Sequence, residues 1–295
     1  MHATLSHSPP AGSAIAAAAL PASGDIEAGL NYLRPTALRP YSYAFTPPAG
    51  LPWESGEYER IAMPIADARG RPTHIEREGF ELREAPTAVA DFLDDAEVQA
   101  VYYPELAALA LAVTGGARAH VFDHLVRKRE PERAALNFGR GKTDGKAAAN
   151  GRIHNDYTEE SGRRRLALVL ASAAEAAAVR RYCIVNIWRS IAGPVLDTPL
   201  AVCDARTVMA RDLVNAEVRY PKRTGEIYLA THAATHRWSY FSRMDRHEAL
   251  VFKQYDAQLG GVARFTPHAA FDHPLAPADA PLRESIEARC LVVFE

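Results

Sequence analysis

Downstream of residue 183 the chain alternates short apolar runs with Gly, Pro and Asp turns: 183–189, 200–204, 226–230, 237–241, 249–253, 263–271 and 285–294. Many short strands at nearly regular spacing predict a sandwich or barrel, not a parallel sheet crossed by helices. Upstream the period is mixed. Residues 60–65, 79–82 and 119–124 read as strands, 87–93 as a helix capped by Thr87, and 104–113 as a helix opened by Pro104 and closed by Gly115-Gly116. Residues 165–181, almost all Ala, Leu and Val around Glu175, predict one long helix by propensity. The stretch 31–54 is dense in Pro, Tyr and Trp and reads as an irregular wrap that pins itself by burying rings, with a substrate lid as the rival reading. The expected fold is mainly β with flanking helices around a double-stranded β-helix (jelly-roll, cupin-like) core. A disordered tail at 1–24 precedes a single domain at 25–295 with an N-terminal helical and irregular elaboration.

Composition narrows the partner. With 295 residues, 48% of them hydrophobic, the chain can bury a large core. Its 34 basic and 36 acidic residues leave a formal charge of −2, so no global field draws it to nucleic acid or an anionic membrane. Charges or prolines interrupt every apolar run before membrane-spanning length. The run Ala14 to Leu20 has no Lys or Arg ahead of it and reads as tail, not as a signal peptide. Three cysteines, Cys183, Cys203 and Cys290, without C-x-x-C spacing suggest neither a disulfide framework nor a zinc site. A small-molecule substrate and a cytoplasmic location are expected, with the oligomeric state open.

The candidate chemistry centres on His154-Asn155-Asp156. Along an extended segment residues i and i+2 share a side, so H-x-D supplies two ligands of a 2-His-1-carboxylate iron site. Alone the tripeptide is a weak signal. It gains weight from His268, which supplies a third ligand, and from Arg283-Glu284-Ser285, whose guanidinium and hydroxyl suit the distal carboxylate of 2-oxoglutarate. Strand parity puts Arg283, Ser285, Glu287 and Arg289 on one face. His232 and His236 are rival third ligands. His120, Asp123 and His124 read as scaffold, 127–133 as a solvated charge run, and the Gly/Lys-rich 139–151 as a mobile loop by the site, since it lacks phosphate-loop spacing.

The stretch from Asn186-Ile187-Trp188-Arg189 through Gly193-Pro194 to Val202-Cys203-Asp204 resembles the central motif of the AsaB, CmcJ and gibberellin-desaturase-like family of oxygenases. His236-Arg237-Trp238-Ser239-Tyr240-Phe241, Pro267-His268 and Arg283-Glu284-Ser285 are similar to later blocks, and Tyr102-Tyr103-Pro104-Glu105 to an earlier one, so the resemblance spans about residues 30 to 295. It implies iron(II), 2-oxoglutarate and dioxygen as co-substrate in the hydroxylation, desaturation or ring formation of a small metabolite of secondary metabolism. Basic residues near the site suggest that this metabolite carries a carboxylate. Carried over by motif, His154, Asp156 and His268 hold the metal, while Arg283 and Ser285 hold the co-substrate. Arg283 lies farther from His268 than a simple H…R-x-S pair requires, so Arg289 and Arg189 remain rival anchors. His236, Trp238 and Tyr240 are candidates for the substrate pocket, with core burial the competing reading. Two alternatives stand beside this one: an iron oxygenase that dispenses with 2-oxoglutarate, and a non-enzymatic jelly-roll module that binds a small ligand.

Overall fold

The computed structural model describes residues 24–129 and 150–295. The expected tail up to residue 23, the end of the charge run and the loop at 139–149 lie outside the described residues. In chain order come β1 (Ile26–Leu33), β2 (Tyr41–Tyr43), β3 (Tyr58–Asp67) and β4 (Phe80–Glu84), then α1 (Asp95–Glu97), a π turn and α2 (Tyr103–Thr114). β5 (Arg118–Lys128) and β6 (His154–Asn155) follow, with α3 (Glu159–Val169) and α4 (Ala173–Ala178) after them. Eight strands complete the chain: β7 (Arg181–Ser190), β8 (Leu200–Cys203), β9 (Leu213–Arg219), β10 (Thr224–Ala230), β11 (Trp238–Tyr240), β12 (Glu248–Asp256), β13 (His268–Ala270) and β14 (Glu284–Phe294).

They form two sheets, a jelly-roll core. The larger has the order β1-β3-β11-β8-β13-β6-β10-β9-β2 and the smaller β4-β12-β7-β14-β5. Alternation along β7 and β14 decides what lies between the sheets. Val185, Ile187, Ile286 and Ala288 turn outward onto Val98, Tyr102, Leu106 and Ala110 of the helical layer. Trp188 turns inward and packs with Phe80, Leu200, Val202, Leu250 and Phe252. Paired residues share a face, so the registers Ser285–Ser190, Glu287–Trp188 and Arg289–Asn186 add a polar strip to that inner face. One end of the interior is thus dry and the other charged.

The large sheet curls on itself. Its first strand bridges to Arg152 and Thr231, and the face bearing Leu30, Ile65, Trp238, Tyr240, Ala201 and Ala269 encloses a second core. No helix among the described residues is long and apolar enough to cross a membrane.

Several local expectations need correction. Residues 87–93 are not helical. The first helix is capped by Asp94, and the Glu97 carboxylate instead accepts from the backbone N–H groups of Ala90 and Asp91. The long helix expected at 165–181 is two. A Thr158–Ser161 capping box starts α3, and Ser172 caps α4 by accepting from Glu175 N–H, local side-chain bonds that outweigh alanine propensity. Strand β9 and the strands within 26–54 were not foreseen, although Val214, Ala216 and Val218 alternate as a half-buried strand should.

Candidate metal centre

His154 and His268 face each other as a directly paired position of the neighbouring strands β6 and β13. Their rings lie 4.3 Å apart, centroid to centroid. Asp156 follows β6, and one ligand atom from each of His154, Asp156 and His268 falls within 4.8 Å of the others. These are distances that a single small cation can span.

The tautomers are set by the backbone. The Nδ1–H of His154 donates to the Arg152 carbonyl at 2.8 Å, and that of His268 to the Thr266 carbonyl at 3.3 Å. In both rings Nε2 is then the unprotonated nitrogen, and that of His154 accepts from the Asn150 amide at 3.2 Å; outer hydrogen bonds on the other ring nitrogen are what orient metal-binding histidines. Asp156 is held equally firmly. Its Oδ2 accepts from Asn186 Nδ2 at 2.8 Å and from Arg289 Nε at 2.9 Å, while Oδ1 stands 3.6 Å from His154 Nε2. Gln254 ties the centre together, accepting from Asp156 N–H and donating to the Thr266 carbonyl.

Protonation follows from this placement. Burial and the neighbouring His268 depress the His154 pKa to about 3, and burial brings that of His268 to about 4. Burial alone would raise the Asp156 pKa, but Arg289, the two imidazoles and the Asn186 amide outweigh it and hold the carboxyl well below its ordinary range. Near neutral pH the centre is two neutral imidazoles and one carboxylate, a donor set for a divalent metal with coordination positions to spare.

Arg283 and Ser285 sit on the inner face, as parity requires. The Arg283 guanidinium packs 5.7 Å from the Trp188 ring and donates through Nη1 to the Thr198 carbonyl at 2.8 Å. Its Nε and the Ser285 hydroxyl are buried without a hydrogen-bond partner among the described residues. Burial, with Arg127 nearby, lowers the Arg283 pKa to about 10. A buried cation and a buried hydroxyl left unsatisfied side by side fit an anionic group supplied from outside the chain.

The two rival arginines are engaged elsewhere. Arg289 spends its guanidinium on Asp156, Asp123 and Glu287. Arg189 points to the opposite face of β7, where it donates to the Ala85 and Arg246 carbonyls over the Tyr102 ring. Nor does the structure bring His236, Trp238 and Tyr240 to the metal centre. Trp238 pairs with Cys203, one position out of phase with Val202, the partner of His268. Its side chain therefore enters the second core, where its indole donates to Tyr32 and His236 links Tyr32 to Asp212. The small residues of β8 and β13 beneath these rings were the only sequence signal for that core.

A cavity of about 480 Å³ contains His154 and Asp156. Leu125, Arg127, Tyr157, Arg164, Arg165 and Ile227 line it. Sequence reasoning missed Asn186, Gln254 and Arg165. Asn186 alone carried a signal, as a buried-strand amide two residues before Trp188.

A family model described as an oxidoreductase/YMDC permease-like domain matches residues 30–293. The chain is 34% identical over 242 residues to the hydroxylase/desaturase efuI of Hormonema carpetanum, covering 75% of this chain and 79% of that protein. It is 33% identical over 201 residues to the Fe(II)/2-oxoglutarate-dependent dioxygenase nvfI of Aspergillus novofumigatus, covering 68% of each. The solved structure of the iron and alpha-ketoglutarate-dependent endoperoxidase NvfI superposes with a TM-score of 0.81 at 26% identity, over 92% of this chain and 99% of the other.

Proposed function

The chain belongs to the hydroxylase/desaturase family of iron(II)- and 2-oxoglutarate-dependent dioxygenases, and we propose that His154, Asp156 and His268 are its iron ligands and that Arg283 and Ser285 hold 2-oxoglutarate. The observation that carries the ligand assignment is the convergence of three ligand atoms whose partner atoms, two Nδ1 and one Oδ2, are all tied down by other groups. Such ties fix which atom of each side chain meets a metal.

Bound iron, with 2-oxoglutarate and dioxygen, supplies the oxidising power that removes hydrogen from an unactivated C–H bond. The chain supplies everything else. Arg283 and Ser285 grip the distal carboxylate of the co-substrate, the fork geometry of the guanidinium fixing its direction. Phe252, 4.8 Å from the His268 ring, and Trp188 keep the inner end dry, which strengthens each charged contact there. Asn186 and Arg289 hold Asp156 by Oδ2, which leaves Oδ1 as the oxygen that would meet a metal. The open cavity takes a small, carboxylate-bearing metabolite, which is hydroxylated, desaturated or cyclised according to which of its hydrogens lies nearest the metal. The oxygenase without 2-oxoglutarate and the binding module are not favoured by relatives of this kind.

The test is anaerobic titration of iron(II)-loaded protein with 2-oxoglutarate, read by the weak visible charge-transfer band. A band in the wild type and none in H268A or R283A is expected. Bound iron without a band would remove 2-oxoglutarate from the reading, and no bound iron would sink it.

A further inference from the structure

Helix α3 forms one wall of the cavity that holds His154 and Asp156. It lines that cavity with Ser161, Arg164, Arg165 and Leu168, spaced i, i+3, i+4 and i+7 as a single helical stripe. The opposite stripe fixes the helix rotation. Leu166 and Leu170 pack with Tyr182 and Tyr255, and Gly162 lies so near the Tyr255 ring that a β-carbon would come within 2.6 Å of it. Arg164 and Arg165 must therefore face the cavity.

Their situations differ. Arg164 is committed to Glu226 at 3.1 Å. Arg165 makes no hydrogen bond or ion pair among the described residues, and its Nε is buried without a partner. Two rings flank it instead: its guanidinium carbon lies 4.8 Å from the Phe122 ring centroid and 5.8 Å from that of Tyr157. Phe122 reaches it because β5 bulges there, Asp123 pairing with Arg289 and Val121 with Cys290, a device that re-aims side chains beside active sites. Stacking orients a guanidinium and strips some of its water, but leaves its charge uncompensated. The carboxylates of this cavity's described lining have other partners: Asp123 and Asp156 share Arg289, and Glu226 pairs with Arg39 and Arg164. Tyr157 follows Asp156 in sequence and lines the same cavity, where it feels the charges of both Arg165 and Asp156. The apolar lining of the same cavity includes Leu125, Val218 and Ile227.

We propose that Arg165 is the specificity-determining residue of this site, receiving the carboxylate of a small acid whose apolar body lies against Leu125, Val218 and Ile227. The inference rests on the iron and 2-oxoglutarate reading above and adds to it the anchor of the primary substrate, distinct from the Arg283 and Ser285 anchor of the co-substrate.

The experiment uses full-length protein loaded anaerobically with iron(II) and 2-oxoglutarate. Binding of matched pairs of acids and their neutral amides, such as cinnamate and cinnamamide among aryl and alkyl pairs of graded length, is read by perturbation of the charge-transfer band. In the wild type at least one acid should outbind its amide by tenfold or more. Arg165→Gln should lose about 10- to 100-fold in affinity for that acid, the range for one charge-assisted contact, with its amide unaffected. Arg165→Lys, which keeps the charge and loses the stacked plane, should fall between. If no acid outbinds its amide, or Arg165→Gln leaves the preference intact, the inference is overturned while the band shows that the iron and co-substrate reading stands. Loss of the band itself in Arg165→Gln would reassign the guanidinium to 2-oxoglutarate and overturn the proposal in another way. Absence of the band in the wild type would overturn the underlying reading.

Discussion

Replacing Arg283 by Met should leave the empty enzyme at least as stable and cripple its hold on 2-oxoglutarate at once. Arg283 is only 3% exposed, and burial beside Arg127 brings its pKa from 12.5 down to about 10. At 1.36 kcal/mol per unit, keeping it charged costs the folded state about 3 kcal/mol. The folded pKa lies below the unfolded one, so this cost is present in full at neutral pH and fades only as pH rises through about 10. Methionine removes the cost but leaves the Thr198 carbonyl without its donor, a loss of about 1–3 kcal/mol. The balance is neutral to favourable by about 2 kcal/mol. Co-substrate binding moves the other way. Losing a charge-assisted fork weakens 2-oxoglutarate by about 3 kcal/mol, roughly 100-fold. At a concentration that stabilises the wild type by about 2.7 kcal/mol, the variant would then gain only about 0.4 kcal/mol. Urea unfolding with manganese(II) in place of iron, with and without 2-oxoglutarate, measures both. A variant more than about 2 kcal/mol less stable without co-substrate, or one with an undiminished co-substrate gain, would refute the argument.

Asn186→Ala removes one of two donors on Asp156 Oδ2 and should weaken iron(II) about 10- to 100-fold in anaerobic competition with a chelator; equal affinity would show that Arg289 suffices. Gly162→Ala sets a helix-propensity gain of about 1 kcal/mol against overpacking of about 1–3 kcal/mol at Tyr255. A lower melting temperature is expected, and a rise would mean that the ring yields freely. In metal-free protein His154 and His268 titrate near 3 and 4, against 6.5 in their absence of burial. The unfolded chain therefore takes up protons first, and stability should fall as pH drops from about 6.5 toward 4. Urea midpoints of chelated protein that stay constant over that span would contradict it.

The sequence disclosed what depends on alternation and spacing. Short strands with turn residues between them predict two facing sheets, and the odd-numbered set from Arg283 to Arg289 does share the inner face with Asn186 and Trp188. The same rule, applied to β7, would have sent Arg189 outward, since Trp188 beside it faces in. What local pattern does not carry is the curl of the large sheet. Trp238 and Tyr240 are large, aromatic and near a histidine whether they line a cavity or a second core, and only the out-of-phase pairing with Cys203 separates the two. Arg165 was hidden for a similar reason. Its neighbours in sequence look like any alanine-rich helix, and its ring partners, Phe122 and Tyr157, come from other elements.

The strands that bear the histidines are the shortest in their neighbourhood, two residues in β6 and three in β13, whereas β7 and β14 of the facing sheet run ten and eleven. The regular ladder of β6 and β13 is short, and main-chain bonds at Ile153, Pro267 and Ala270 together with the Gln254 side chain extend it. Short ladders of this kind open locally at a fraction of the global unfolding free energy. On the ligand assignment proposed above, the two histidines would sit on the short-laddered sheet, while Arg283, Ser285 and Asn186 stand on the long-laddered one, so a disturbance at the histidine rungs need not reach the co-substrate side.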